Sequence, residues 1–234
     1  MQEGLSRRDV PLVVTFDLFS ALTDSRRGAA AAFAGIAAAR GWPVPGEQLY
    51  DVWDRHNKEL QRRAGAGTSF RELSRTALRA AYDELGMAGD AASDLDLLWR
   101  GVGDWPLWPD VEDGVAAVAA RAAVGILSNV DDDLVVTTRA HRLVDPRWVL
   151  TSERLGAYKP SPEIYRRARR AAPGLVHMAA SARDVRGALE AGIPTVRLVR
   201  EGHRVDPDGP VPIVEVTDAR DLPAALDRLE RSSG

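Results

Sequence analysis

The chain has 234 residues, 45% of them hydrophobic and 28% charged, with a formal net charge of −3. That balance fits one large globular domain or a domain carrying an insertion, and no dense Lys/Arg block is present to hold nucleic acid. Cysteine is absent, which excludes disulfides, thiolate metal sites and thiol nucleophiles. No apolar run approaches a membrane span and the N-terminus lacks a signal-peptide core, so a cytoplasmic location is expected, with no membrane as partner.

In chain order, Met1 to Asp9 is polar and is expected to fray. Pro11 precedes a short buried strand, Val13 to Phe16, whose residues are β-branched or aromatic. Asp17 stands at its C-terminal end. Gly28 to Arg40 is an Ala-rich helix stopped by Gly41 and Pro43. A second helix spans about Gly46 to Arg63, with Leu49, Val52, Trp53, His56 and Leu60 at helical spacing. A third begins after Thr68 or Ser69, and a weaker fourth runs from about Asp90 to Arg100. The Pro-rich WPLWPD, Trp105 to Asp110, then changes the pattern. Helices are expected at Val111 to Arg121, from Asp131, at Ser161 to Ala172, at Asp184 to Ala191 and at Leu222 to Arg231. Strands alternate with them at Val124 to Leu127, Trp148 to Leu150, Leu175 to Ala179, Pro194 to Val199 and Ile213 to Val216. Alternating strands and helices mean an α/β parallel sheet covered on both faces. The expected architecture is a Rossmann-like core, residues 1–24 and 105–234, interrupted by an all-helical cap, residues 25–104.

Four polar positions fall just beyond predicted strands: Asp17, Ser128-Asn129, Lys159 and Asp184. Strand ends of a parallel sheet share one edge, where such folds place their ligands. Singly, each has a plain reading as a turn cap, a helix cap, an exposed lysine or a first-turn acid. Their joint placement outweighs those readings. His177, inside a predicted strand, reads as a satisfied core histidine, and Trp99, Trp105 and Trp108 read as packing between cap and core.

FDLFSALTD, ILSN, YKPSPEIY and SARD with GALEAGIPT, in this order, make the chain resemble the haloacid dehalogenase-like (HAD) hydrolase superfamily. The resemblance is nearest to its L-2-haloacid dehalogenase branch. It implies that Asp17 is a nucleophile forming an ester that water cleaves, with Lys159 stabilising charge beside it. It further implies that Ser128 and Asn129 bind the anionic group of the substrate. Asp184 lies in the fourth motif, with Ser181 where the branch favours Asn. Phosphatases of the superfamily carry a general acid where this chain has Phe19, and the dehalogenases carry an aromatic there. Tyr165 matches a tyrosine that follows the catalytic lysine of the dehalogenases, and with Phe19, Ser181 and Trp53 it is expected to contact the substrate.

Three departures stand out. Ser20-Ala21 replaces Gly-Thr, losing a hydroxyl next to the nucleophile. Trp53-Asp54 stands where a Trp-Arg pair receives halide, so that Arg26 or Arg27 is left to substitute. Ala180 replaces an acid of the phosphatases. The expected partner is therefore a small carboxylate-bearing substrate, with a 2-haloacid as one candidate and no cofactor; a weak Mg²⁺ site and a homodimer stay open. The alternatives are a phosphate-ester hydrolase that has replaced its general acid, and a non-catalytic binding protein.

Overall fold

The computed structural model describes residues 11–232, so the polar segment Met1 to Asp9 lies outside the described residues. The first strand, β1 (Leu12–Phe16), is followed by one π-helical turn over Leu18–Leu22. Four helices come next: α1 (Ser25–Arg40), α2 (Gly46–Arg63), α3 (Phe70–Leu85) and α4 (Ala91–Arg100). After them the chain runs α5 (Val111–Ala119), β2 (Ala123–Ser128), α6 (Asp132–Val135), β3 (Val149–Thr151) and α7 (Ser152–Leu155). It continues through α8 (Pro162–Ala171), β4 (Gly174–Ala179), α9 (Ala182–Glu190), β5 (Thr195–Leu198), β6 (Val214–Val216) and α10 (Leu222–Ser232).

The six strands form one sheet in the order β3-β2-β1-β4-β5-β6, and every pair is parallel. β1 is central, so Val13, Val14, Thr15 and Phe16 are all buried, which is why it reads as an unbroken run without alternation. Order reverses between β1 and β4, and such a switch point opens a crevice beyond the strand ends. Phe16 pairs with Ile126 on one side and Met178 on the other. That register brings the residues following β1, β2 and β4 to one edge.

The helical insertion is built from local signals. Asp24, Ser69 and Asp90 cap α1, α3 and α4 with their side chains, and Gly41 and Gly86 end α1 and α3 in left-handed conformation. The Asp90 cap and the buried Leu95, Leu98 and Trp99 explain why the weak fourth segment is a full helix. The face of α2 departs from expectation. Its buried residues include Leu49, Trp53, Asn57 and Gln61, while Val52, His56 and Leu60 are only half-buried. Polar residues thus occupy the inward stripe, a choice that hydrophobic periodicity cannot anticipate.

The insertion is attached by paired segments. Thr23 and Leu107 form an antiparallel bridge, Asp24 N–H donates to Pro106 O at 2.9 Å, and Trp108 N–H donates to Leu22 O at 3.1 Å. Elsewhere the helix expected from Asp131 is a single turn, and α7 was not expected at all. No helix among the described residues is long and apolar enough to cross a membrane.

Candidate active site

Asp17, Lys159 and Asp184 meet at the switch point. Lys159 Nζ donates to Asp17 Oδ1 at 2.7 Å, to Asp184 Oδ2 at 2.6 Å and to Leu127 O at 2.8 Å. All three side chains are buried. Burial alone would raise both carboxyls and lower the ammonium. Their mutual attraction outweighs it, so Asp17 and Asp184 lie below the ordinary carboxylate value and Lys159 above the ordinary amine value. Asp17 is therefore ionised and held in one orientation, as a nucleophile requires.

The remaining oxygen of Asp17 is held by the turn that follows it. Ser20 N–H donates to Asp17 Oδ2 at 2.8 Å, and Ser20 Oγ donates to the same oxygen. Asp17 is thus a turn cap and a site residue at once. The hydroxyl expected to be lost at Ala21 is supplied one residue earlier. Ser128 Oγ donates to Asp17 Oδ1 at 3.2 Å.

Asp184 is held from below. His177 is fully buried, with Nε2 3.1 Å from Asp184 Oδ2 and Nδ1 3.0 Å from Thr15 Oγ1. It is a satisfied core histidine, and it also touches the site, which the sequence reading did not foresee. Tyr165 OH donates to Asp184 Oδ1 at 2.8 Å. Its ring lies against Gly187, where a Cβ would meet the Tyr165 hydroxyl at 2.8 Å. Tyr165 is fully buried and outside the cavity lining, so its expected contact with substrate gives way to a contact with Asp184. Asn129 Nδ2 donates to Gln61 Oε1 and to Lys159 O, both at 2.9 Å, and its Oδ1 accepts from Lys159 N–H at 2.7 Å. The donors of that amide are spent on protein, positioning the lysine segment.

A cavity of ≈ 100 Å³ opens over these groups. One part is aromatic: Phe19, Trp53, Phe70, Trp99 and Trp105 line it and pack on one another, with ring centroids 5.8–6.5 Å apart. Trp99 and Trp105 are thus cavity lining as well as packing. Trp108 instead donates its Nε1–H to Ser20 O at 3.1 Å. The other part is polar, with Asp54, Asn57, Lys58 and Gln61 from α2, Arg183 from α9 and His203 from the loop after β5. Ser181 lines the cavity too. Burial lowers His203 below its ordinary value, favouring the neutral ring.

Arg26 and Arg27 are exposed, and Arg26 pairs with Asp51, so neither lines the cavity. Arg55 points away to Glu84. Besides Lys159, the cations lining the cavity are Lys58, which pairs with Asp54 one turn earlier, and Arg183. Asn57 and Gln61 stand at i+4 and i+8 from Trp53, a spacing that becomes a signal only once the inward face of α2 is known. His203 carried no signal, because a loop has no period to break.

Mg²⁺ needs near-octahedral oxygen ligands. The space between Asp17 and Asp184 is occupied by Lys159 Nζ, Phe19 O accepts from Ser25 Oγ, and Ala180 has no side-chain oxygen. Among the described residues no group of three or more His, Asp or Glu side chains is arranged to hold a metal ion. This donor set does not fit a resident Mg²⁺.

Known proteins bear on this arrangement at two levels. A defluorinating L-2-haloacid dehalogenase superposes with a TM-score of 0.78 at 26% identity, over 93% of this chain and 95% of that one. The L-2-haloacid dehalogenase of Xanthobacter autotrophicus gives 0.77 at 21%, over 96% and 100%, and is also known with chloropropionic acid covalently bound. YfnB of Bacillus subtilis, in a magnesium-bound form, gives 0.73 at 17%, over 94% and 100%. No curated protein matches the sequence. The profile of the haloacid dehalogenase-like hydrolases matches residues 12–192. Running from the first strand to just past the helix that carries Asp184, that match makes this chain a member of the haloacid dehalogenase-like hydrolase family.

Proposed function

We propose that this hydrolase works without metal on a small carboxylate-bearing substrate, with a 2-haloacid as the leading candidate. Asp17 attacks the substrate carbon, and the leaving group departs with the bonding pair as a stable anion. Water then adds to the carbonyl carbon of the Asp17 ester. The ester C–O bond on the enzyme side breaks, one proton is released and the 2-hydroxy acid leaves. Lys159 keeps Asp17 ionised and stabilises charge beside it. Ser128 and Ser181 serve the carboxylate of the substrate, and Phe19 with Trp53 forms the apolar wall. Residues 25–104 act as a cap that closes over the core and excludes water.

The observation that carries this reading is Lys159 held between two buried carboxylates while Phe19 stands where a phosphatase needs a proton donor. The covalent chloropropionic acid complex of the Xanthobacter enzyme supports an ester intermediate. The test is a screen of 2-haloacids and phosphate esters with the wild-type protein and Asp17→Asn. Halide release lost by several orders of magnitude in Asp17→Asn is expected, together with solvent ¹⁸O entering the Asp17 carboxylate in a single turnover. Turnover of phosphate esters alone, or label in the product alone, overturns it.

A further inference from the structure

Asn57 is 3% exposed and lines the cavity from α2, yet its Oδ1 meets no hydrogen-bond donor. Its neighbours on the same helix are provided for. Trp53 Nε1–H donates to Ser74 O at 3.1 Å, Asp54 pairs with Lys58, and Gln61 Oε1 accepts from Asn129 and Arg183. A buried polar atom left without a partner is costly, and it persists at a ligand site because the ligand completes it. The indole N–H groups of Trp99 and Trp105, in the same lining, also lack partners. A ligand that is purely alkyl beyond its carboxylate leaves all three unmatched.

We propose that Asn57 is a specificity-determining residue that hydrogen-bonds a hydroxyl group carried by the substrate away from the reacting carbon. The proposal rests on the small-acid reading above and narrows its substrate class to hydroxylated acids. A hydroxyl both donates and accepts, so it satisfies a carboxamide in either orientation. Charge argues for a neutral group. The lining holds three acids, Asp17, Asp54 and Asp184, against three cations, Lys58, Lys159 and Arg183. One substrate carboxylate already tips that balance, and a second charge would be buried without a counter-charge.

The test compares two probes that differ by one hydroxyl, propanoate and 3-hydroxypropanoate, titrated calorimetrically into the wild-type protein, Asn57→Leu and Asn57→Ala. The wild type is expected to bind the hydroxylated acid about tenfold more tightly, the worth of one hydrogen bond. In Asn57→Leu the ratio falls to within about twofold. With 2-chloropropanoate and its 3-hydroxy derivative, the same ratio appears in KM rather than kcat. Should the Leu variant not fold, Asn57→Ala reads the same ratio. Equal binding of both acids by the wild type overturns the role of Asn57 and leaves the small-acid site standing. A preference that survives in Asn57→Leu and Asn57→Ala also overturns it. Failure of both acids to bind up to about 50 mM removes the small-acid reading and this proposal together.

Discussion

Arg183, in the first turn of α9, donates from Nη2 to Gln61 Oε1 on α2 at 2.8 Å. The same oxygen accepts from Asn129, whose amide also grips the backbone of Lys159 on both its N–H and C=O sides. A single amide oxygen of the insertion is thereby tied to the segment that carries the lysine. Gln61→Leu leaves an Asn129 N–H and the Arg183 guanidinium short of an acceptor. The expected cost is about 1–3 kcal/mol in urea unfolding, with faster amide exchange in α2 and a raised KM. An unchanged unfolding midpoint with unchanged exchange in α2 would show that the contact holds nothing.

Removing the central cation is expected to do more than remove a charge. In Lys159→Met the Asp17 and Asp184 carboxylates are left buried without their partner. Breaking a buried pair in this way costs about 3–5 kcal/mol. The Asp17 carboxyl then rises, because burial and the Asp184 charge are opposed by the Ser20 hydrogen bonds without the lysine, and residual turnover should acquire an acid limb absent from the wild type. Lys159→Arg is not a rescue, since a planar fork cannot replace a point charge among three acceptors.

The same triad sets a pH profile for stability. Asp17 and Asp184 have native values below their ordinary ones, so the unfolded chain binds more protons in the acid range. Their contribution is complete above about pH 4 and drains away as pH falls through the lowered native values. Lys159 has a raised native value; its contribution is complete below about pH 10.5 and drains away as pH rises through that value. Unfolding midpoints measured across this range should form a plateau with an acid limb, and the limb should become shallower in Asp184→Asn. A wild-type midpoint unchanged from pH 5 down to pH 2 would contradict the assignment.

Chelation separates the two branches of the family. Because Lys159 Nζ occupies the space between the carboxylates, turnover of any substrate found should survive exhaustive EDTA treatment. Activity lost in EDTA and restored by Mg²⁺ alone would place the chain with the phosphatases despite Phe19.

Much of this was legible from the residues. The parallel α/β order, the all-helical stretch between β1 and β2 and the convergence of Asp17, Ser128, Lys159 and Asp184 all follow from strand ends and motif spacing. What stayed hidden depends on rotation and reach. The inward stripe of α2 carries Asn57 and Gln61 because their partners lie on the core, far away in sequence. His177 looked like any strand residue until the pairing of β4 with β1 set it beside Thr15 and below Asp184. Tyr165 was placed against substrate by motif matching alone, and only the close approach of Gly187 shows that its hydroxyl turns to Asp184.

The bridge between Thr23 and Leu107 pairs the segments by which the chain enters and leaves the insertion, as a page is bound at its spine. Trp105 sits two residues from that spine and leans on Gly28, whereas Trp53, Phe70 and Trp99 lie on the leaf itself. Asn57, Lys58 and Gln61 lie on the same leaf, which is fastened where Arg183 donates to Lys58 O and Gln61, Asn129 donates to Gln61, Phe70 and Arg71 N–H donate to Asp131, and Tyr158 OH donates to Thr68 O. Asn57 takes part in none of these fastenings, so its position can be rewritten for another ligand while the clasps over the lysine segment stay in place.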